Sequence, residues 1–88
     1  MKTIKLEFKN IETMRALHIY LQYKLNLPAY YGKNLDALYD CLTDLAEDTK
    51  IIVSASDACG ECAASLPKLL RVFDDAQEEN PHLTIAVI

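Results

Sequence analysis

The 88-residue sequence contains no tryptophan, only two glycines and three prolines, and no apolar run long enough to span a bilayer. It also lacks internal repeats and low-complexity tracts, so we expect neither a flexible linker nor a disordered region. Hydrophobic residues make up 51% of the chain. We therefore expect residues 1–88 to form a single domain with one modest core.

Cysteine is sparse as well. An odd number of cysteines, three in this chain, fits a reducing compartment better than a secreted disulfide framework. The first residues alternate between polar and apolar and show no leader pattern. We therefore expect the protein to be cytoplasmic at the point where it folds.

Basic residues are fewer than acidic ones. The chain has nine lysines and arginines and 13 aspartates and glutamates, which gives a net charge of −4. The bases are scattered along the chain, whereas nucleic-acid binding needs them clustered. The sequence therefore argues against a nucleic-acid or membrane partner, and it contains no cofactor-binding motif.

Hydrophobic periodicity predicts an α/β fold. A half-buried strand is expected at 3–8, and a helix capped by Asn10 or Thr13 should run to about Leu25. The other predicted elements are a strand at 51–53 buried on both sides, a short helix at 59–64, a helix restarting at Ser65 with Pro67 in its first turn, and a largely buried strand at 83–88. Together with the helix after Asn34, the predicted order is β-α-α-β-α-α-β, a small three-stranded parallel sheet packed with helices.

The segment 27–47 is the most informative part of the chain. Pro28 ends the preceding helix, Gly32 is expected to take a positive φ in a turn, and Asn34 is a good N-cap. The helix that follows should bury a leucine stripe and expose an acidic arc. The stripe consists of Leu35, Leu38, Leu42 and Leu45.

Five carboxylates and no lysine or arginine lie between Asp36 and Asp48. The spacing of Asp36, Asp40 and Asp44 places like charges four residues apart, which destabilises a helix. Such an arc is either a solvated face or a binding face for a cationic partner. Three tyrosines at positions 30, 31 and 39 favour binding, because tyrosine is enriched at interfaces. We expect Tyr31, however, to cover the core.

Other candidate chemistry is weaker. Cys59-x-x-Cys62 follows a strand and opens a helix, which suggests a thiol-disulfide oxidoreductase as the alternative function. A zinc site would require Cys41 and His82 to join this pair. His18, alone beside a helix stripe, is expected to be a structural residue.

The pattern LP-x-YYG-x-NLDAL-aromatic-DCLT, present from Leu27 to Thr43, resembles the barstar family of intracellular inhibitors of microbial ribonucleases. The resemblance extends more weakly to Leu17-His18, to residues 72–76 and to the last strand. It implies a non-enzymatic protein that fills a ribonuclease active site with its turn and second helix, with Asp40 at a substrate-phosphate position. Together with the added acid Asp44, the predicted contact surface consists of Tyr30, Gly32, Asn34, Leu35, Asp36, Tyr39, Asp40, Thr43, Asp44, Val72 and Asp75.

The chain departs from the family pattern at several positions. Tyr39 replaces the usual tryptophan, Asp75 stands where glutamate is common, Ala29 replaces an acid in the turn, and Asp44 adds an acid. We therefore expect a partner that is a basic secreted ribonuclease of the guanyl-specific type or a related nuclease toxin. It should bind one-to-one to a chain that is monomeric when free, without a cofactor or metal.

Overall fold

A computed structural model describes all 88 residues and has the element order β-α-α-β-α-β. The elements are β1 (Lys2–Glu7), α1 (Met14–Lys24), α2 (Leu35–Thr43), β2 (Thr49–Ser54), α3 (Gly60–Glu79) and β3 (Leu83–Val87). The three strands form a parallel sheet in the order β1-β2-β3. The predicted α/β class and three-stranded parallel sheet are confirmed.

The two helices predicted after β2 are one helix. α3 runs unbroken for 20 residues with Pro67 inside it. Pro67 lacks an N–H, so the carbonyl of Ala63 loses its helical partner. Both residues are exposed, and water can therefore satisfy that carbonyl. The prediction of a helix restart at Ser65 was wrong for this reason.

Only one face of the sheet is covered. Register places Ile4, Ile51 and Ile85 side by side on the covered face, and Lys5, Ile52 and Ala86 on the opposite face. Ile51 is buried, whereas Ile52 is half-buried. The prediction that the central strand would be buried on both sides was therefore wrong, because the helices pack on a single side.

The last strand is less buried than predicted. Leu83 is buried, but Val87 is 54% exposed and Ile88 is 67% exposed. β3 is an edge strand, and the residues at its C-terminal end are exposed. Its predicted range of 83–88 is shortened by one residue.

The core contains 18 buried hydrophobic residues from every element. Apolar stripes of the helices supply much of it: Leu17 and Leu21 from α1, Leu38 and Leu42 from the predicted stripe of α2, and Leu69, Phe73 and Ala76 from α3. Thr13 is the N-cap of α1, and its side chain accepts a hydrogen bond from the Ala16 amide. None of the three helices combines the length and apolar character needed to cross a membrane.

Candidate functional site

The turn before α2 places two adjacent tyrosines in opposite environments. Tyr31 is 5% exposed and belongs to the core, as predicted, whereas Tyr30 is 86% exposed. The Tyr31 hydroxyl and Nδ1 of buried His18 share a hydrogen bond of 2.6 Å. The Tyr31 amide also donates to the Pro28 carbonyl, which accepts a second bond from Nε2 of Gln22. Hydrogen bonds therefore connect the turn to α1, and the Tyr30 side chain extends from this turn into solvent.

The left-handed residue of this turn is Lys33, with a φ of 53°, and not Gly32. The prediction of a positive φ at Gly32 was wrong. A Cβ at Gly32 would lie 3.3 Å from the Ala37 Cβ and 3.3 Å from Nδ2 of Asn34. Glycine fits this position because the start of α2 folds closely over it.

Asn34 is the N-cap of α2, as predicted. Its Oδ1 accepts a hydrogen bond of 2.8 Å from the Ala37 amide, and its Nδ2 donates to the Gly32 carbonyl at 3.2 Å. Both ends of the side chain are therefore used within the chain. This arrangement fixes the angle at which α2 leaves the turn.

Three aspartates line the exposed arc of α2. Asp36, Asp40 and Asp44 are all exposed, and none lies within 4.0 Å of a basic group of the chain. Asp36 is in the first turn, where the helix dipole stabilises a negative charge. Asp44 is the C-cap, where the dipole opposes a negative charge, and no base occupies the last turn. The fold supplies no basic side chain to compensate these charges.

Tyr39 connects this arc to α3. It is half-buried at the edge of the core. Partial burial, and then the negative charges of Glu79, Asp75 and Asp40, raise the pKa of its hydroxyl above the ordinary value. These three acids, from two helices, act on the same hydroxyl. Glu79 was missed at the sequence level, although it lies four residues after Asp75 on α3.

The structure brings most of the predicted contact residues to one region, which we call the acidic surface: the turn from Tyr30, the exposed arc of α2 and the adjoining part of α3. Val72 is half-buried beside the core, and Asp75 is exposed. Arg71 lies 4.0 Å from Asp75 on the exposed side of α3, a solvated pair that contributes little energy. Leu35 is half-buried.

The hydroxyl of Thr43 faces its own helix. It donates to the carbonyl oxygens of Tyr39 and Asp40 at 3.0 Å each. Its polar atom therefore stabilises the last turn of α2.

Asn80 was not predicted to have a role at this site. It is 4% exposed, and its Nδ2 donates to the Leu42 and Leu45 carbonyls at 2.9 and 3.0 Å. Its Oδ1 accepts from the His82 amide. The C-terminal end of α2 is thus capped by a side chain 38 residues away. No local signal in the sequence reveals such a distant cap.

The Cys59-x-x-Cys62 segment forms a junction between α3 and the start of α1. The Glu61 amide donates to the Glu12 carbonyl at 2.8 Å, and the Met14 amide donates to Oε1 of Glu61 at 3.0 Å. Gly60 has a φ of 55°, and a Cβ there would lie 2.7 Å from the Glu12 oxygen. The residues between the two cysteines therefore have a structural explanation.

Cys62 does not have the properties of a nucleophilic thiol. Cys62 is fully buried, and burial, together with neighbouring Cys59, raises the pKa of its thiol. A reactive thiol requires the opposite shift and access to solvent. No three potential metal ligands lie close enough to bind an ion, so Cys41 and His82 do not join this pair.

Two comparisons agree with this geometry. A family profile described as Barstar (barnase inhibitor) matches residues 1–87. The chain is also 35% identical, over 81 residues, to a Bacillus subtilis (strain 168) protein named "Putative ribonuclease inhibitor YrdF". That alignment covers 90% of this chain and 89% of the relative. The turn, the acidic helix and these two matches lead to one assignment: the chain belongs to the Barstar (barnase inhibitor) family.

Proposed function

We propose that this protein inhibits a secreted ribonuclease of the guanyl-specific type, or a related nuclease toxin, by placing the acidic surface in the active-site cleft. The inhibitor acts as a non-enzymatic, one-to-one partner and protects the cytoplasm of the producing cell. The observation that carries the proposal is the absence of any basic partner for the carboxylates of Asp36, Asp40 and Asp44.

A cationic partner explains why the helix retains these charges. Asp36 and Asp40, and likewise Asp40 and Asp44, are like-charge neighbours along α2. Each such pair costs about 0.2–0.5 kcal/mol in a helix. An active site that binds the phosphates of RNA offers arginine, lysine and histidine donors. Carboxylate oxygens then take the positions of phosphate oxygens and form short, charge-assisted hydrogen bonds.

The position of Asp40 makes it the central residue of the acidic surface. It lies between Asp36 and Asp44 on α2 and is one of the acids around Tyr39. A carboxylate in the middle of an interface is the one most fully removed from water on binding. Charge-assisted bonds gain strength in such a setting, and truncating them leaves cations of the partner unpaired.

The free protein already holds the acidic surface in a fixed conformation. The His18–Tyr31 hydrogen bond fastens the turn, Asn34 caps the start of α2, and Asn80 caps its end. Binding therefore costs little backbone conformational entropy, and this favours affinity.

The test is titration of barnase activity with this protein, alongside calorimetry for affinity and stoichiometry. We expect one-to-one inhibition, and a loss of affinity of about 30-fold or more for Asp40→Ala. Asp57→Ala is the matched control, because Asp57 is an exposed acid before α3, a long helix away from Asp75. The association rate should also fall as salt is added, because salt screens the field of exposed carboxylates.

Two results would contradict the proposal. One is the absence of inhibition by the unmodified chain. The other is an equal loss of affinity from Asp40→Ala and Asp57→Ala, which would mean that net charge, and not a focused site, accounts for binding.

A further inference from the structure

A cleft of about 190 Å³ opens on one flank of Tyr30, between the end of α1 and the last turn of α2. It is the one cavity of the protein. Its apolar walls come from Leu25, Leu27, Pro28 and Leu45, with the Tyr30 ring and the Asp44 carboxylate also lining it.

The volume of the cleft restricts what it can hold. Sites for drug-sized ligands and cofactors usually have volumes of about 300–1,000 Å³. A smaller, open cleft at the margin of an interface suits one side chain of a partner protein.

The charge of the cleft narrows the choice to a cation. Asp44 has no basic partner in the chain, and it caps the negative end of the α2 dipole. Cys41 lines the same cleft, and burial, then the charges of Asp44 and Asp40, raise the pKa of its thiol. An apolar side chain placed here would desolvate the Asp44 carboxylate without compensating it.

This inference rests on the proposed function: we propose that this cleft binds one arginine side chain of the nuclease, which pairs with Asp44. We call the cleft the socket. Arginine suits it better than lysine for two reasons. Its planar guanidinium stacks on an aromatic face such as that of Tyr30, and it is more weakly hydrated than an ammonium. Its aliphatic stem would contact Leu27 and Leu45.

The socket would make Asp44 a determinant of partner choice. A nuclease with an arginine facing Asp44 would be favoured over one with a neutral residue there, because the unpaired carboxylate would otherwise lose water without compensation.

The socket can be tested on the free protein with N-acetyl-L-arginine amide as the probe. We expect saturable changes in the NMR shifts of the amides at Asn26, Cys41, Asp44 and Leu45. Asp44→Asn should weaken this binding by about tenfold, and Asp57→Asn should leave it unchanged. Absence of saturation, or equal binding by Asp44→Asn, would overturn the socket. Equal binding of N-acetyl-L-lysine amide or N-acetyl-L-leucine amide would overturn the assignment to arginine.

The barnase assay separates this inference from the proposed function. Inhibition that depends on Asp40, combined with no binding of the arginine probe, overturns the socket and supports inhibition. Binding of the probe that depends on Asp44, combined with no inhibition, supports the socket as a guanidinium site and overturns the proposed function.

Discussion

Nδ1 of His18 in α1 and the hydroxyl of Tyr31 in the turn share a buried hydrogen bond of 2.6 Å. The two rings also lie against each other, with centroids 5.8 Å apart. Burial lowers the pKa of His18 below its ordinary value of 6.5 and raises that of Tyr31. Both side chains are therefore neutral near pH 7, and together they hold the turn that presents Tyr30.

Acidification should weaken the fold through His18. Between pH 6.5 and the lower pKa of the folded state, the unfolded chain binds a proton at His18 and the folded chain does not. The stability provided by neutral His18 is therefore complete above about pH 6.5 and is lost as the pH falls below it. Chemical denaturation of the wild type and His18→Gln between pH 8 and pH 5 measures this effect.

The control is built into that comparison, because every other titrating group is common to both proteins. The stability difference, wild type minus His18→Gln, should fall as the pH is lowered from 7 to 5. A difference that stays constant over this range, or increases, would show that His18 is not held neutral by the fold.

Asn80→Ala should destabilise the protein by about 2–3 kcal/mol. The substitution removes a donor from the carbonyl groups of Leu42 and Leu45. The Leu45 carbonyl is left without a partner, and the Leu42 carbonyl keeps only backbone amides, of which that of Leu45 lies 3.4 Å away. Denaturant unfolding measures the loss, and amide hydrogen exchange should show faster opening in the last turn of α2. Glu78→Ala, an exposed change on the same helix, is the control. Equal stability of the two variants would refute the capping role.

Gly60→Ala should be more destabilising than Gly32→Ala. At Gly60 an L-residue must adopt a φ of 55°, which costs about 1–2 kcal/mol, and its Cβ would lie 2.7 Å from a backbone oxygen. At Gly32 the φ is ordinary, and the nearest atoms are 3.3 Å away. Unfolding midpoints in denaturant compare the two. If Gly32→Ala proves more destabilising than Gly60→Ala, the backbone at Glu12 shifts to make room for the added Cβ, and the proposed clash at position 60 is wrong.

Asp40→Asn should stabilise the free protein by about 0.5 kcal/mol while it weakens inhibition. The change removes the like-charge pairs with Asp36 and Asp44, each of which costs about 0.2–0.5 kcal/mol. An upward shift of the urea midpoint with an unchanged m-value would report this gain. Asp57→Asn should produce no comparable shift. A decrease in stability would mean that Asp40 has a favourable contact within the chain.

The sequence was sufficient for features that depend on local periodicity and turn chemistry. The leucine stripe of α2, the Asn34 cap and the burial of Tyr31 all follow from residues within one or two turns of each other. The fastening of His18 to Tyr31 and the capping by Asn80 could not be predicted, because each joins segments far apart in the chain. Pro67 was misleading because a helix can continue through a proline where water satisfies the carbonyl that loses its N–H partner, here that of Ala63. The left-handed residue was assigned to Gly32 because of residue preference, whereas the structure has Lys33 in that conformation.

The cap supplied by Asn80 also determines when during biosynthesis α2 can be complete. The carbonyl groups of Leu42 and Leu45 have a donor in Asn80, which is translated after β2 and all of α3. A nascent chain that has emerged only through β2 therefore lacks this cap. The two hydrogen bonds from Asn80 to the last turn of α2 and to Leu45 can form only after residue 80 has been synthesised.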